Sequence, residues 1–323
     1  MKKLNLALLF PGQGAQYVGM GQDFFTAFPI ARETFEEADD LLSYRLSRLV
    51  FEGPEVELTA TKNSQVAIYV TSIAIWRVVQ QQLPDLVPTV CSGLSLGEYT
   101  AMTVAESLAW KDGIHLVRSR GLLMEEASLM YPGIMAVALG SNATVVKDVL
   151  EECNEKEVWL ANVNCPGQVV ISGTKAGVAR MSEELCQRGV KKMIPLAVSG
   201  AFHSGLMATA KEKLIPILAE IPLQQGSSAI VMNVPGDYVP EVEIRRHLLA
   251  DQVVAPVYWE KGVAAMKNCG TELFIEVGCG KTLSGMNRKM GLGSATFHIE
   301  KIDDLEKFAR IWEEKNAPAS CMS

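Results

Sequence analysis

The stretch Cys91-Ser92-Gly93-Leu94-Ser95-Leu96-Gly97-Glu98-Tyr99 constrains this chain more than any other. It reads as a strand end, a tight turn carrying Ser95, and the start of an apolar helix. Glycines at 93 and 97 flank the serine in a G-x-S-x-G pattern. Such a turn puts the serine in a strained backbone conformation, and only glycine lets strand and helix approach that closely. The hydroxyl projects from the turn beside the free N–H groups of the new helix, which can stabilise an oxyanion. By itself the pattern is weak, since an ordinary glycine-lined loop fits it too. The rest of the chain has to decide.

Composition narrows the class. A chain of 323 residues buries a large core, as one big domain or as a main domain with an insert. A net charge of -7 supplies no basic field to collect phosphates, which argues against a nucleic-acid binder. The seven cysteines form no C-x-x-C pair, so neither a zinc site nor a disulfide framework is suggested, and a reducing cytoplasm fits best. The apolar Leu4–Phe10 run is short and meets Pro11-Gly12, as a first strand does and a secretory signal does not. No apolar stretch reaches the length of a membrane span.

Strands and helices alternate along the first part. Leu4–Phe10 reads as a strand buried on both faces, ending in the glycine turn Pro11-Gly12-Gln13-Gly14-Ala15-Gln16. Tyr17 stands where a dinucleotide fingerprint needs its third glycine. Helices are expected over 22–50 and 64–82, the second with Asn63 as its N-cap. A strand is expected over Thr89–Cys91, and helices over Gly97–Leu108 and, capped by Asp112, over Gly113–Met130. This order predicts an α/β fold with a parallel sheet and the serine turn at the carboxyl end of its strands.

At Tyr131-Pro132-Gly133 the texture changes. Strand, helix, strand, strand, helix, strand follow in turn up to Val198, the order of a ferredoxin-like split βαβ unit. We therefore expect an α/β-hydrolase-like main domain made of 1–130 and 199–323, with a ferredoxin-like subdomain, 131–198, inserted. A helix at 203–220, a strand at 229–233, helices at 241–251 and 256–268 and a strand at 272–277 complete the main domain. A mobile tail is expected from about Asn316, preceded by a helix over 303–315.

A serine nucleophile needs a base, and the chain has four histidines. His115 and His247 fall inside amphipathic helices and His298 in an apolar run, all more in keeping with structural or surface places. His203, in Val198-Ser199-Gly200-Ala201-Phe202-His203-Ser204, sits on a glycine-bearing loop where the insert returns. Arg118 and Arg120 point about 200° apart on one helix, so at most one enters a cleft, where it would grip a carboxylate. Both could equally be solvated, or paired with Glu125 and Glu126. Gly278-Cys279-Gly280-Lys281-Thr282 lacks the first glycine of a P-loop, and no aspartate dyad or metal spacing stands out.

Several separated segments then agree with one family. They are 10–16 and 93–99, Arg120-Gly121, Ala161-Asn162-Val163-Asn164-Cys165-Pro166-Gly167-Gln168, Gly200-Ala201-Phe202-His203-Ser204, Gln252 with Pro256-Val257-Tyr258-Trp259, and Glu276-Val277-Gly278-Cys279-Gly280. In this order and over nearly the whole chain to about residue 290, they resemble malonyl-CoA:acyl carrier protein transacylases and the acyltransferase domains of fatty-acid and polyketide synthases. The resemblance implies that Ser95 is the acylated nucleophile and His203 its general base and acid. It implies an oxyanion hole from the amides of Gln13 and Leu96, and substrate binding by Arg120 and Phe202. It also implies a backbone carbonyl at Gln252 that orients the histidine in place of a triad aspartate. Leu94 departs from the histidine common before the nucleophile, though leucine occurs there in some members.

The implied reaction moves a malonyl group from malonyl-CoA to the phosphopantetheine thiol of an acyl carrier protein through malonyl-Ser95. No bound cofactor, no metal, no nucleic acid and no membrane is expected. Because the chain is itself acidic, a dock for an acidic carrier has to be local, with Lys191, Lys192, Lys281, Arg288 and Lys289 as candidates. A free-standing polyketide acyltransferase and a serine thioesterase or esterase remain as alternatives, the latter without a use for Arg120. A non-catalytic binding module would need none of the three groups.

Overall fold

A computed structural model describes residues 4–316. It contains ten strands: β1 (Leu6–Phe10), β2 (Val90–Gly93), β3 (Ile134–Leu139), β4 (Val158–Cys165), β5 (Gln168–Gly173), β6 (Lys192–Pro195), β7 (Ala229–Met232), β8 (Asp237–Tyr238), β9 (Leu273–Val277) and β10 (Thr296–Ile299). They form two sheets in an α/β fold. The larger has the order β10-β9-β1-β2-β7-β8. Its strands pair in parallel except the short edge strand β8, which runs against β7.

Every residue of β1, β2 and β9 is buried. Helices cover both faces of this sheet, which is why the strands read as continuous apolar runs rather than alternating ones. The helix Thr61–Gln82 is buried on nearly all sides, from Ser64 to Val79. It packs along the helix Trp110–Met130. It begins two residues before Asn63, whose side chain donates instead to the Glu57 carbonyl, so Asn63 is no cap. Asp112 likewise lies inside the first turn of a helix that begins at Trp110.

The smaller sheet, order β4-β5-β3-β6, is antiparallel throughout. Its helices Ala143–Glu152 and Lys175–Gln187 carry side-chain N-caps at Asn142 and Thr174. The smaller sheet is tied to the rest along β4. Val163 N–H donates to the Val257 carbonyl at 2.9 Å, and Val257 N–H to Ala161 at 2.8 Å.

Two elements differ from expectation, and the helix expected before the tail is present. The expected helix over 22–50 is three pieces, Gln22–Ala27, Pro29–Leu42 and Leu46–Glu52, broken before Pro29 and at Ser43, whose φ is 57°. Thr282–Lys289, unassigned in the sequence, is a helix. The segment before Asn316 is a helix, Ile302–Asn316, with Leu305, Phe308 and Trp312 buried. The tail expected beyond it lies outside the described residues.

Candidate active site

β2 ends at Gly93, and the helix Gly97–Val104 starts four residues later. Ser95 between them has φ 53°, the left-handed conformation expected of a strained turn. The glycines are there because backbones meet. A Cβ on Gly93 would lie 2.1 Å from the Gly97 carbonyl carbon, and one on Gly97 would lie 2.1 Å from the Phe10 carbonyl oxygen. Asn233, just past β7, clamps the turn. It accepts the Ser95 N–H at 2.7 Å and donates from Nδ2 to the Gly93 carbonyl at 2.8 Å.

His203 follows β6 and also has a positive φ, 58°. Its Nε2 lies 2.9 Å from Ser95 Oγ, and its Nδ1 lies 2.7 Å from the Gln252 carbonyl oxygen. A carbonyl only accepts, so Nδ1 carries the proton and the Nε2 lone pair faces the serine. Burial, and next the charge of Arg120, lower the histidine's pKa to about 4, against the pull of the Gln252 and Ala255 backbone. The ring is therefore neutral and ready to accept a proton at physiological pH. His115 and His247 are exposed on helices, and His298 sits in β10, 3.7 Å from Asp304 Oδ1. None of the three lines the cavity at Ser95.

Arg120 and Arg118 part as the helical geometry predicts. Arg120 is 1% exposed. Its Nη2 donates to Ser95 Oγ at 3.1 Å and to Gln252 Oε1 at 2.8 Å, and its Nη1 donates to Gln65 Oε1 at 2.6 Å. The guanidinium carbon lies 5.3 Å from the centre of the Tyr99 ring. Arg118 faces elsewhere, donating to the Lys62 carbonyl and Asn63 Oδ1 while stacking on Tyr44. Glu125 pairs with Lys62 and Glu126 with Lys213, so neither acid takes up an arginine.

A cavity of about 250 Å³ opens onto Ser95. The large-sheet side contributes Gln13, Gln65, Ser95, Met124, Phe202 and His203 to its lining. The smaller sheet contributes Met135, Asn162, Asn164, Gln168 and Val170 from across the cleft. The Gln13 side chain donates to Thr61 Oγ1, which lies 2.7 Å from Ser199 Oγ, so three segments meet beside the glycine turn. The amide of Leu96 precedes the helix's first turn, where N–H groups lack intrahelical acceptors. Among the described residues, neither it nor the amide of Gln13 donates to a backbone carbonyl.

Sequence reasoning assigned no role to Gln65, Asn233 or Glu98. Asn233 ends a strand of the parallel sheet on the side where such folds place their sites, and that position was a usable signal. Glu98 sits in an apolar helix start, where an acid passes for a partner of the helix dipole.

Comparisons with known proteins agree with this geometry. The model of the family described as "Acyl transferase domain" matches residues 7–292. A malonyl CoA-acyl carrier protein transacylase of Bacillus subtilis is 39% identical over 314 residues, 97% of this chain and 98% of that protein. The Escherichia coli K12 protein of the same name is 38% identical, over 88% of this chain and 93% of its own length. A crystal structure of MCAT from Streptococcus pneumoniae superposes with a TM-score of 0.90 at 36% identity, covering 95% of this chain and all of that one. With His203 and Arg120 converging on Ser95 Oγ, and similarity running nearly end to end, the chain belongs to the malonyl CoA-acyl carrier protein transacylases of the acyl transferase family.

Proposed function

We propose that this protein transfers malonyl from malonyl-CoA to the phosphopantetheine thiol of an acyl carrier protein, with Ser95 carrying the malonyl ester in between. One observation carries the reading: Ser95 Oγ lies 2.9 Å from a neutral histidine nitrogen and 3.1 Å from a buried guanidinium. A hydrolase of neutral esters needs the first contact only. A structure titled as a type II polyketide carrier protein in complex with its malonyl-transacylase is 35% identical at a TM-score of 0.89, which supports a carrier-protein partner here.

In the first half-reaction His203 Nε2 takes the Ser95 proton as Oγ attacks the thioester carbonyl. The oxyanion is received by the amides of Gln13 and Leu96, worth about 3 kcal/mol per donor in comparable sites. Collapse breaks the C–S bond, and the imidazolium returns its proton to the departing coenzyme A sulfur. In the second half the carrier thiol gives its proton to His203 and attacks the ester, and Ser95 Oγ recovers the proton as it leaves. Arg120 grips the free malonyl carboxylate throughout, releasing the contact it makes with Oγ in the resting site. Phe202, buried at the cavity wall, packs against the acyl group.

The finer architecture we assign is an α/β-hydrolase-like main domain, 1–130 and 199–323, with a ferredoxin-like insert over 131–198. The antiparallel order β4-β5-β3-β6, with one helix after β3 and one after β5, supports the insert. Six free cysteines among the described residues support a reducing, cytoplasmic setting. Supply of fatty-acid synthesis is the role we assign. For the carrier, Arg288 and Lys289 at the exposed end of the helix Thr282–Lys289 are the dock we favour, because Thr282, Leu283 and Met286 of that helix line the cavity.

Intact-protein mass after brief incubation with malonyl-CoA tests the function. A malonyl adduct that Ser95→Ala abolishes and holo carrier protein discharges is expected. An adduct lost to water at the same rate with and without carrier would sink the transferase reading in favour of a thioesterase.

A further inference from the structure

Behind Ser95 lies a carboxylate that the mechanism above does not use. Glu98, in the first turn of the helix Gly97–Val104, is fully buried. Its Oε1 accepts the Asn233 N–H at 2.6 Å and its Oε2 accepts Gln252 Nε2 at 2.6 Å. Burial pushes its pKa up to about 8, against the opposing pull of Asn233, Arg120 and Gln252. Both oxygens nevertheless receive N–H donors, the pattern an ionised carboxylate satisfies. Each of its two partners leads to a catalytic group. Asn233 clamps the Ser95 turn. Gln252 gives its side-chain oxygen to Arg120 Nη2 and its backbone oxygen to His203 Nδ1.

A primary amide has one acceptor end and one donor end, so the end that faces Glu98 fixes the end that faces Arg120. We propose that Glu98 is a positioning residue for malonyl selection: by holding Gln252 Nε2 it turns Gln252 Oε1 toward Arg120 and keeps the guanidinium aimed at the acyl carboxylate. The carboxylate also stands as the guanidinium's counter-charge, relayed through the Gln252 amide, when no substrate is bound. His203 does not depend on this relay, because it leans on the main-chain oxygen of Gln252 rather than on the side chain.

The inference rests on Arg120 as the carboxylate grip, and Glu98→Gln tests it. A glutamine at 98 has one acceptor for two donors. The Asn233 N–H is fixed in the main chain, so the new amide turns its nitrogen toward Gln252 Nε2, which keeps only the Ser95 carbonyl at 3.0 Å and Asn233 Oδ1 at 3.4 Å as acceptors, and the hold on the Gln252–Arg120 contact loosens. Steady-state kinetics with malonyl-CoA and with acetyl-CoA would be compared for wild type, Glu98→Gln, Arg120→Ala and the double variant. We expect Glu98→Gln to lower malonyl kcat/KM about tenfold or more, with acetyl kcat/KM changed less than about threefold. In the double variant the malonyl-to-acetyl ratio matches that of Arg120→Ala alone.

A Glu98→Gln enzyme with the wild-type ratio, or with both substrates slowed equally, overturns the proposal while the Arg120 reading stands. An unchanged ratio in Arg120→Ala overturns the grip itself, and this inference with it. Should Glu98→Gln not fold, Glu98→Asp keeps the charge but withdraws it from Gln252. It must still shift the ratio in the same direction, and a wild-type ratio in it overturns the proposal.

Discussion

The two walls of the cavity are held in different ways. On the large-sheet side each group proposed to react is fixed by hydrogen bonds: Ser95 by Asn233, His203 by the Gln252 carbonyl, Arg120 by Gln65 and Gln252. On the smaller-sheet side the lining is apolar or amide, and Asn164 Oδ1 is buried with no partner among the described residues. Parallel strands buried on both faces bring several chain segments to one end, where they can be cross-braced. An antiparallel sheet whose lining carries none of these braces offers a wall whose shape changes without disturbing the chemistry. The difference separates reactivity from fit.

Substitutions sharpen or break that division. The largest effect belongs to Ser95→Ala, which should lower transfer by about 10⁴-fold or more and abolish the malonyl adduct seen by mass spectrometry. Next is Arg120→Ala, expected to lower malonyl kcat/KM by about 10²–10³-fold while sparing or improving acetyl transfer. Equal losses for both substrates would end the carboxylate-grip idea.

The pH dependence follows. Because His203 has its pKa lowered to about 4, the rate of Ser95 acylation should hold on acidification past 6.5 and fall tenfold per unit only below about 4. The same shift bears on stability with a definite sign. The unfolded chain binds the proton first, so this contribution is whole above about 6.5 and is lost as pH falls toward 4. An acylation limb centred on 6.5 would mean that the imidazole is solvated.

Smaller still, Gly97→Ala forces a Cβ against the Phe10 carbonyl and should destabilise by about 3 kcal/mol in denaturant unfolding. At the far wall, Ile171→Val in the buried core of the insert should cost about 1 kcal/mol and leave transfer unchanged. A change in acyl preference there would show that the insert does more than shape the cavity.

Much of this was legible in the chain. Strand β3 and the helix Ala143–Glu152 follow the strand–helix order expected after Gly133, because such short elements leave local signals. The serine turn was legible for the same reason: its glycines answer a clash between neighbouring segments. The pairing of Ser95 with His203 came from the order of motifs, and spacing alone left the histidine open. Arg120 against Arg118 was a question of which way a helix faces, and periodicity says only that the two differ. Asn233, Glu98 and the side-chain role of Gln252 were hidden, since contacts 132 to 157 residues apart leave no periodic mark.

The orienting partner of His203 is a main-chain carbonyl, and that choice bears on what the acyl ester can survive. An aspartate in its place would make the imidazole a stronger base. A peptide oxygen leaves it weak, and burial beside a guanidinium weakens it further. Deprotonating a pantetheine thiol, with a pKa of about 8.5, asks little of such a base. Deprotonating water, at about 15.7, asks far more. The same base serves the Ser95 hydroxyl, nearly as weakly acidic as water, so the carrier's advantage lies in its own sulfur, which reaches the ester as thiolate with little help.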